Sequence, residues 1–173
     1  MKSLSNNHSA DKYILGVGMV LLNECGDVLV GKRGHMISGD AHWQLPQGGI
    51  EFGETPYEAV MREMREEIGT NNVKLLKISE SKYRYQLPVD LPKKAWNGKF
   101  GNNSYIGQEQ TWFLFQYLGD DTDINVHTEI PEFTDWQWMD YKKLTEVVVH
   151  FKKQLYTDVF KEFSPIIQDI KTA

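Results

Sequence analysis

The sequence predicts an α/β fold, and three kinds of segment support that prediction. Residues 13–22 and 27–33 are rich in Val, Leu and Ile and flank a turn at Gly26, so they predict the two strands of a β-hairpin. Residues 56–68 place apolar side chains along one face of a helix. Further strands are predicted at residues 73–87, 110–118 and 133–139. Strands on both sides of a helix indicate a sheet that packs against helices.

Three other segments complete the predicted order of elements. Residues 42–46 predict a short strand that leads into a Gly-Gly pair. Residues 88–107 contain several Pro and Gly residues and predict a long loop, which in a compact domain tends to be functional or mobile. Residues 141–170 predict a C-terminal helix that is interrupted near Pro165.

Length and composition limit the classes of protein to which the chain can belong. The 173 residues, of which 40% are hydrophobic, suit one ordinary domain with a buried core. We therefore expect residues 13–173 to form a single domain and residues 1–12, which are polar, to be disordered. The net charge of -5 argues against a protein that coats DNA or other nucleic acid electrostatically.

Cysteine content and hydropathy indicate a cytoplasmic protein. The single cysteine, Cys25, excludes an internal disulfide framework, and its place in a turn predicts a surface thiol. No segment approaches the roughly 18 apolar residues that a membrane span needs. Nothing in the sequence predicts a particular protein partner.

The helix at residues 56–68 has capping signals at both ends. Thr55 can cap the first turn, Glu58 can reach back to the backbone of Thr55, and Pro56 suits the first helical position. Gly69 stands where a left-handed residue would end the helix. These signals predict the boundaries of the helix.

Three glutamates of this helix, Glu63, Glu66 and Glu67, lie within one arc beside its apolar face. Like charges at this spacing repel one another, and a hard divalent cation such as Mg²⁺ would relieve the repulsion. A glutamate-rich run on a helix is, however, more often a solvated face. The helix alone leaves both interpretations open.

A longer pattern favours the metal-binding interpretation. Gly48 is followed after five residues by Glu54, and after seven more by residues 62–69, which read Arg-Glu-Met-Arg-Glu-Glu-Ile-Gly. This resembles the Nudix box, Gly-x5-Glu-x7-Arg-Glu-(apolar)-x-Glu-Glu-x-Gly-(apolar). Thr70 is the one departure, because the pattern prefers an aliphatic residue there. The departure affects local packing rather than catalysis.

The resemblance implies a fold and a reaction. The fold would be the Nudix-type α/β/α sandwich, with a mixed β-sheet between helices. The reaction would be hydrolysis of a nucleoside diphosphate linked to another group. The metal would be Mg²⁺, with Mn²⁺ or another divalent cation as the alternative. Metal ions would neutralise phosphate charge and acidify the attacking water.

The resemblance also implies roles for the residues of the box. Glu63, Glu66 and Glu67 would be metal ligands, and one of them could orient or deprotonate water; Glu63 and Glu67 are the catalytic candidates. Four residues of the box would have structural roles. Gly48, together with Gly49, would permit a tight loop, and Glu54 would join that loop to the helix. Arg62 would hold the loop and the glutamates through ion pairs, and Gly69 would end the helix.

Segments outside the box indicate the branch of the family. Residues 43–49, Trp-Gln-Leu-Pro-Gln-Gly-Gly, resemble a segment of the bacterial RNA pyrophosphohydrolases and the related diadenosine polyphosphate hydrolases. The similarity extends over residues 13–163 and includes residues 83–88, 107–113, 131–136 and 151–156. It implies a substrate that is either a triphosphorylated RNA 5′ end or a dinucleoside polyphosphate such as Ap4A.

Matching positions add further candidate site residues. Glu132 matches a loop acid that can serve as metal ligand or base; the alternative is a turn residue after Pro131. Phe151 and Lys152 match residues that stack on a base and contact the substrate, although the helical spacing of Phe151 also suits a core residue. Arg33 matches a substrate-contacting arginine or is a solvated strand end. Gln47 and Gly48 complete the predicted substrate-binding set.

One departure bears on substrate preference. The group usually opens with Tyr-Arg-Pro-x-Val-Gly, and here residues 13–18 read Tyr-Ile-Leu-Gly-Val-Gly. Ile14 therefore replaces an arginine that is available to phosphate. The loss would weaken binding of an RNA 5′ end or shift preference towards another nucleotide.

Two alternatives stay open at this point. One is a housecleaning hydrolase for a different nucleoside diphosphate derivative, such as a nucleotide sugar. The other is a catalytically inactive Nudix domain that only binds a nucleotide. The presence of all the box glutamates argues against this second alternative. The tryptophans, which mostly pack in cores, are assigned to the core: Trp43, Trp112, Trp136 and Trp138.

Overall fold

The structure is a computed structural model that describes residues 12–33, 43–87 and 105–173. The elements in chain order are β1 (Tyr13–Leu22), β2 (Val28–Arg33), β3 (Trp43–Gln44), β4 (Gln47–Gly49), α1 (Pro56–Ile68), β5 (Val73–Ile78), β6 (Tyr83–Gln86), β7 (Gly107–Tyr117), β8 (Phe133–Met139), α2 (Tyr141–Val147) and α3 (His150–Thr172). The predicted disordered N-terminus lies almost wholly outside the described residues. Residues 88–104 of the predicted loop also lie outside them.

The strands form one mixed sheet. β1 pairs in parallel with β7 along its whole length and antiparallel with β2 and β4. β2 continues the sheet through β3 and β8, and β7 continues it through β5 and β6, in each case antiparallel. The predicted hairpin of β1 and β2 is present. Its turn is closed by Asn23, whose Oδ1 accepts the backbone N–H groups of Cys25 and Asp27, and Cys25 is exposed as predicted.

Helices cover both faces of this sheet. Alternate residues of β1 point to opposite faces, as strand geometry requires. Met19 packs with Val60 and Met64 of α1 in one core. Val20 packs with Val159 of α3 in a second core on the other face. The predicted α/β/α sandwich with a mixed sheet is therefore confirmed. None of the helices in the described part of the chain is long and apolar enough to cross a membrane.

The boundaries of α1 follow the prediction at both ends. Thr55 Oγ1 accepts the backbone N–H of Glu58, and the Glu58 carboxylate accepts the backbone N–H of Thr55, so the capping box is formed. Pro56 occupies the first turn. Gly69 ends the helix with φ of 75°, in the left-handed region. This local geometry fixes the direction in which the three glutamates of α1 point.

The prediction of one strand over residues 73–87 was wrong, because β5 and β6 are separate strands. Ser79 breaks the ladder between them. Its hydroxyl donates to the carbonyl of Ser81 at 2.8 Å and accepts the backbone N–H of Trp112 at 3.0 Å. A serine side chain that takes over such backbone bonds favours a turn over a continuous strand.

The predicted interruption of the C-terminal helix near Pro165 was also wrong. The chain breaks instead at Val148 and Val149, which are not helical, and α3 continues through Pro165. Proline cannot donate to the carbonyl of Lys161, four residues earlier. The hydroxyl of Ser164 lies 3.4 Å from that carbonyl and donates to it instead.

Other strand boundaries differ from the prediction at their ends. β3 contains only two residues, and β7 begins at Gly107, three residues before the predicted start. The tryptophans pack as expected but to different extents. Trp112 is fully buried, whereas three others are half-buried against the two cores: Trp43, Trp136 and Trp138.

Candidate active site

Arg62 of α1 connects the parts of the box. Its Nε and Nη2 donate to the two carboxylate oxygens of Glu54 at 2.6 and 2.9 Å, which makes a bidentate pair. Its Nη1 donates to Glu63 at 2.8 Å and to Glu66 at 3.3 Å. Nη2 also donates to the carbonyl of Gly49 at 2.8 Å. Arg62 thus holds β4, the segment before α1 and two glutamates together, as the resemblance implied.

Glu54 should stabilise the fold in a pH-dependent way. Hydrogen bonds from Arg62 lower its pKa from 4.5 to about 2, against a smaller opposing effect of burial. A lowered carboxyl pKa stabilises the fold above the unfolded pKa, and this contribution is lost as pH falls from about 4.5 to about 2.

We therefore expect Glu54→Gln to lower the free energy of unfolding by about 1 kcal/mol at pH 7. Urea denaturation at pH 7, 4.5 and 3 would measure it, with Glu146→Gln at an exposed position of α2 as the control. The difference in free energy of unfolding between Glu54→Gln and the wild type should be smaller at pH 3 than at pH 7. A gap that is equal at all three pH values would contradict the assignment.

The carboxylates of Glu63 and Glu67 are buried although they belong to the acidic run. Glu63 is 5% exposed and Glu67 is 2% exposed. Burial raises the pKa of Glu67 well above its usual value, and the charges of Glu132 and Glu63 raise it further. The backbone N–H of Gln47 donates to Glu67 Oε2 at 3.2 Å and partly opposes this effect. The site therefore buries two carboxyl groups, and a negative charge on Glu67 is disfavoured there unless a cation is present.

Gly48 has a different role from the predicted one. Gly48 and Gly49 lie in β4, paired with Val17 and Gly16 of β1, so the prediction of a tight loop was wrong. A Cβ at position 48 would overlap the carboxyl group of Glu63. Glycine here leaves room for the Glu63 carboxyl group to lie against the backbone, and this close approach rather than a turn accounts for the residue.

The other two predicted acids lie at the edge of this group. Glu66 is exposed and its carboxylate is held by Arg62. Glu132 lies in the loop before β8, and its Oε2 is 3.8 Å from Nη2 of Arg33 at the end of β2. The charges of Glu132 and Arg33 both act on the pKa of Glu67, Glu132 raising it and Arg33 lowering it.

Phe151 and Lys152 of the predicted substrate-binding set lie on the α3 side of the sheet together with Tyr85 and Gln44, and these four residues define the predicted substrate cleft. Lys152 is 3% exposed, and its Nζ donates to Gln44 Oε1 at 3.2 Å and lies 5.5 Å from the centre of the Tyr85 ring. Burial, together with the smaller effect of the Arg33 charge, lowers the pKa of Lys152 to about 7. Lys152 can thus respond to an added phosphate charge, which would favour its protonated form.

Phe151 is only partly buried. Its ring stacks on Tyr85, with centroids 6.2 Å apart and planes at 29°, and contacts the edge of His150 at 5.8 Å. It packs against the α3-side core, so the core interpretation is partly right. The half-buried ring nevertheless keeps surface that a base could cover.

Ile14 lies in the same region of the sheet. It is 7% exposed and pairs with Gln108 of β7. Since Ile14 is an even number of residues from Val20, it points to the α3 side. An apolar side chain therefore occupies the position at which the resemblance predicts an arginine.

Sequence reasoning missed several polar residues of this cleft. Tyr85 bridges Phe151 and Gln47, to whose Nε2 its hydroxyl is bonded at 3.3 Å. Gln44 holds Lys152. The buried hydroxyl of Tyr156 accepts the backbone N–H of Leu45 at 2.9 Å. One signal was available for two more residues: Gln108 and Gln110 stand at alternate positions in an otherwise largely apolar strand.

Family comparison agrees with the geometry. A model of the NUDIX domain matches residues 12–159. The chain belongs to the Nudix hydrolase family. Among the Nudix hydrolases similar to it, the RNA pyrophosphohydrolase of Rickettsia typhi is 44% identical over 168 residues, which cover 97% of this chain and 100% of that protein. The RNA pyrophosphohydrolase of Orientia tsutsugamushi is 43% identical over 157 residues, which cover 91% of this chain and 93% of that protein.

Solved structures show the same fold at low sequence identity. The Ap4A hydrolase of C. elegans, in a binary complex, superposes with a TM-score of 0.61 and 15% identity, covering 90% of this chain and 98% of that protein. The MutT protein of Methanosarcina mazei gives a TM-score of 0.58 and 19% identity, covering 87% and 94%. At these identities the likeness bears on the fold alone.

Nudix hydrolases use divalent cations, and the chemistry of this site fits one. Its side chains offer hard carboxylate oxygens, and the raised pKa of buried Glu67 indicates negative charge that a cation would stabilise. Among the described residues, no three His, Cys, Asp or Glu side chains already surround a common point. Glu66 and Glu132 are directed to arginines instead. The four-residue ligand set stays a prediction.

Proposed function

We propose that this Nudix hydrolase removes pyrophosphate from triphosphorylated RNA 5′ ends, splits dinucleoside polyphosphates such as Ap4A, or does both. The observation that carries the proposal is the junction of two regions, the buried carboxylates of Glu63 and Glu67 and the aromatic cleft at Phe151 and Tyr85. Both substrates offer a base to stack and a polyphosphate to lie across the acids. The names of the relatives support the same substrates.

The proposed cofactor is Mg²⁺, held by the carboxylates of Glu63, Glu66, Glu67 and Glu132. When bound, Mg²⁺ would neutralise phosphate charge and lower the pKa of the attacking water. Glu63, Glu67 and Glu132 are the candidates for the group that accepts the proton of that water. The raised pKa of Glu67 suits a base, since a basic carboxylate accepts a proton more readily.

The remaining roles fall to residues of the cleft and its border. Phe151 would stack on a base, and Lys152 would donate to a phosphate or to the base edge. Arg33, Gln47 and the backbone at Gly48 would border the polyphosphate. Arg62 would act only by holding Glu63, Glu66 and the Gly49 carbonyl, because its donors are already engaged with them and with Glu54.

Substituting Phe151 by alanine tests the stacking role. We expect the KM for Ap4A or RNA to rise about tenfold, because stacking on an aromatic ring contributes about 1–3 kcal/mol per base. The value of kcat should change much less. Steady-state kinetics with Lys161→Ala, at an exposed position further along α3, as the control would measure this. An unchanged KM with a lower unfolding temperature would return Phe151 to the core.

The test of the substrate class is a Mg²⁺-dependent release assay. A short triphosphorylated RNA, Ap4A and a nucleotide sugar are compared at equal concentrations, with and without chelator. We expect pyrophosphate from the RNA or nucleotide products from Ap4A, each at least tenfold faster than turnover of the nucleotide sugar. Preference for RNA would mean that the loss of arginine at Ile14 is compensated elsewhere. Faster turnover of the nucleotide sugar would contradict the proposal.

We further propose that the protein acts in the cytoplasm, where both proposed substrates occur. Its net charge of -5 suits local contact with one nucleotide or RNA end rather than coating of a polymer. The single exposed Cys25 suits a reducing compartment.

A further inference from the structure

Gln110 is a fully buried carboxamide in the middle of β7. Its side chain is 0% exposed. By strand alternation it lies on the same face as Gln108 and Trp112, which is the face that packs against α3. Trp112 and, further along, Leu114 on this face are apolar core residues. Gln110 therefore stands where the core meets the substrate cleft.

The amide of Gln110 holds two other glutamines. Its Nε2 donates to Gln108 Oε1 at 2.9 Å and to Gln47 Oε1 at 3.3 Å. Because both acceptors are carbonyl oxygens, these bonds determine which way the two neighbouring amides are turned. Gln47 consequently directs its own Nε2 to the hydroxyl of Tyr85, at 3.3 Å.

The other end of the Gln110 amide has no partner. Oε1 is buried and makes no hydrogen bond in the described structure. If the side-chain amides of Gln47, Gln108 and Gln110 were all flipped, Gln110 Oε1 would accept from the other two amides and its Nε2 would have no partner. One atom of the Gln110 amide is therefore unsatisfied in either orientation. An unsatisfied buried polar atom destabilises a fold. An apolar side chain at position 110 would avoid this cost.

The contacts of Gln47, which Gln110 holds, reach two parts of the site. The backbone N–H of Gln47 donates to the buried carboxylate of Glu67 at 3.2 Å. The side chain of Gln47 reaches Tyr85, whose ring stacks on Phe151. Gln47 therefore touches both the acidic side and the aromatic side of the cleft, and Gln110 holds Gln47 in place.

We propose that Gln110 is a positioning residue that sets the distance between the acidic and the aromatic sides of the cleft. It acts through Gln47 and does not itself touch substrate, since it is fully buried. Loosening Gln47 would let the base platform and the reacting phosphate shift relative to the carboxylates. Misplacement by about 1 Å can slow an enzyme by about a hundredfold. This inference rests on the proposed substrate site.

The first test is Gln110→Met, which preserves volume and removes the hydrogen bonds. We expect kcat on the best wild-type substrate to fall at least tenfold, KM to change less than threefold, and the unfolding midpoint to stay equal or rise. Gln116→Met is the matched control, since Gln116 lies at the far end of β7 and its side chain donates to the Leu22 carbonyl, at 3.2 Å. A lower midpoint with unchanged kcat would overturn the proposal, because that is the result of a purely structural role.

A double-mutant cycle with Gln47→Met tests whether Gln110 acts through Gln47. Because Gln110 acts through Gln47, adding Gln110→Met to Gln47→Met should lower kcat by less than twofold further. Full additivity of the two effects would overturn the proposal.

Side-chain amide NMR gives a readout that needs no substrate. In the wild type the NH₂ group of Gln47 should exchange slowly with solvent, and Gln110→Met should make its exchange at least tenfold faster. Unchanged exchange would overturn the proposal. If the amide responds but the wild type hydrolyses neither RNA nor Ap4A, the assignment of substrate fails while the positioning contact stands.

Discussion

Replacing Glu67 by glutamine is expected to lower kcat by about a thousandfold or more while the fold stays intact. Glu67 is 2% exposed, the lowest value among the acidic side chains in the described part of the chain, and the charges of Glu63 and Glu132 act on it. Glutamine keeps the size of the side chain and removes both the charge and the basic oxygen. Loss of a group that holds a catalytic metal or accepts a proton removes several kcal/mol of transition-state stabilisation.

The difference in stability between Glu67→Gln and the wild type should depend on pH. Burial raises the pKa of Glu67 above that of the unfolded chain, about 4.3. Between these two pKa values the folded state binds more protons, so the wild type loses stability as pH rises. With chelator present, the variant should therefore be at least as stable as the wild type at pH 8 and relatively less stable at pH 4.

Thermal unfolding with chelator at pH 4 and pH 8, together with kcat in Mg²⁺, would measure both effects. Glu146→Gln, at an exposed position of α2, is the control and should change neither quantity. Full activity of Glu67→Gln would contradict the role of the buried carboxylate. A large loss of stability at pH 8 would indicate that the charged glutamate is held by contacts other than a cation.

Adding one methyl group at Gly48 is expected to lower kcat about a hundredfold. The new Cβ would overlap the Glu63 carboxyl group, so either β4 or that carboxyl must move. Movement of the carboxyl breaks its 2.8 Å bond with Arg62, and movement of β4 displaces the Gly49 carbonyl that Arg62 also holds. Either shift misplaces a predicted metal ligand, and errors of this size cost about two orders of magnitude.

Glu63→Asp provides the matched test of this clash. Aspartate is shorter by one methylene and leaves room for the Cβ of Gly48→Ala. The double variant should therefore regain most of the stability that Gly48→Ala loses, while its kcat stays as low as that of Glu63→Asp alone. Urea denaturation and single-turnover rates would measure both quantities. A kcat of Gly48→Ala within twofold of the wild type would show that Glu63 does not depend on this close approach.

Features that depend on neighbouring residues in the chain could be predicted from the sequence. The ends of α1 follow from Thr55, Glu58 and Gly69, which act within four residues of one another. The arc that contains Glu63 and Glu67 follows from helical periodicity alone. The mixed sheet with helices on both faces followed from the order of elements together with the resemblance of the box.

The errors fell where a distant contact overrides a local signal. Gly48 and Gly49 read locally as a loop, but pairing with β1 makes them a strand. Pro165 reads as a helix break, but Ser164 takes the free carbonyl and the α3 core holds the turn together. In both cases contacts outside the local signal outweigh the local preference: strand pairing for Gly48, and core packing with the Ser164 hydrogen bond for Pro165.

The sequence by itself determined the family, the helix that carries the acids and the identity of those acids. Each of these depends on residue types at a fixed spacing. Tertiary structure alone decided that Glu67 would be buried with a raised pKa, that Gly48 would lie against Glu63, and that Gln110 would hold Gln47. Burial and hydrogen bonding depend on atoms from strands far apart in the chain, and spacing along the sequence carries no information about their distances.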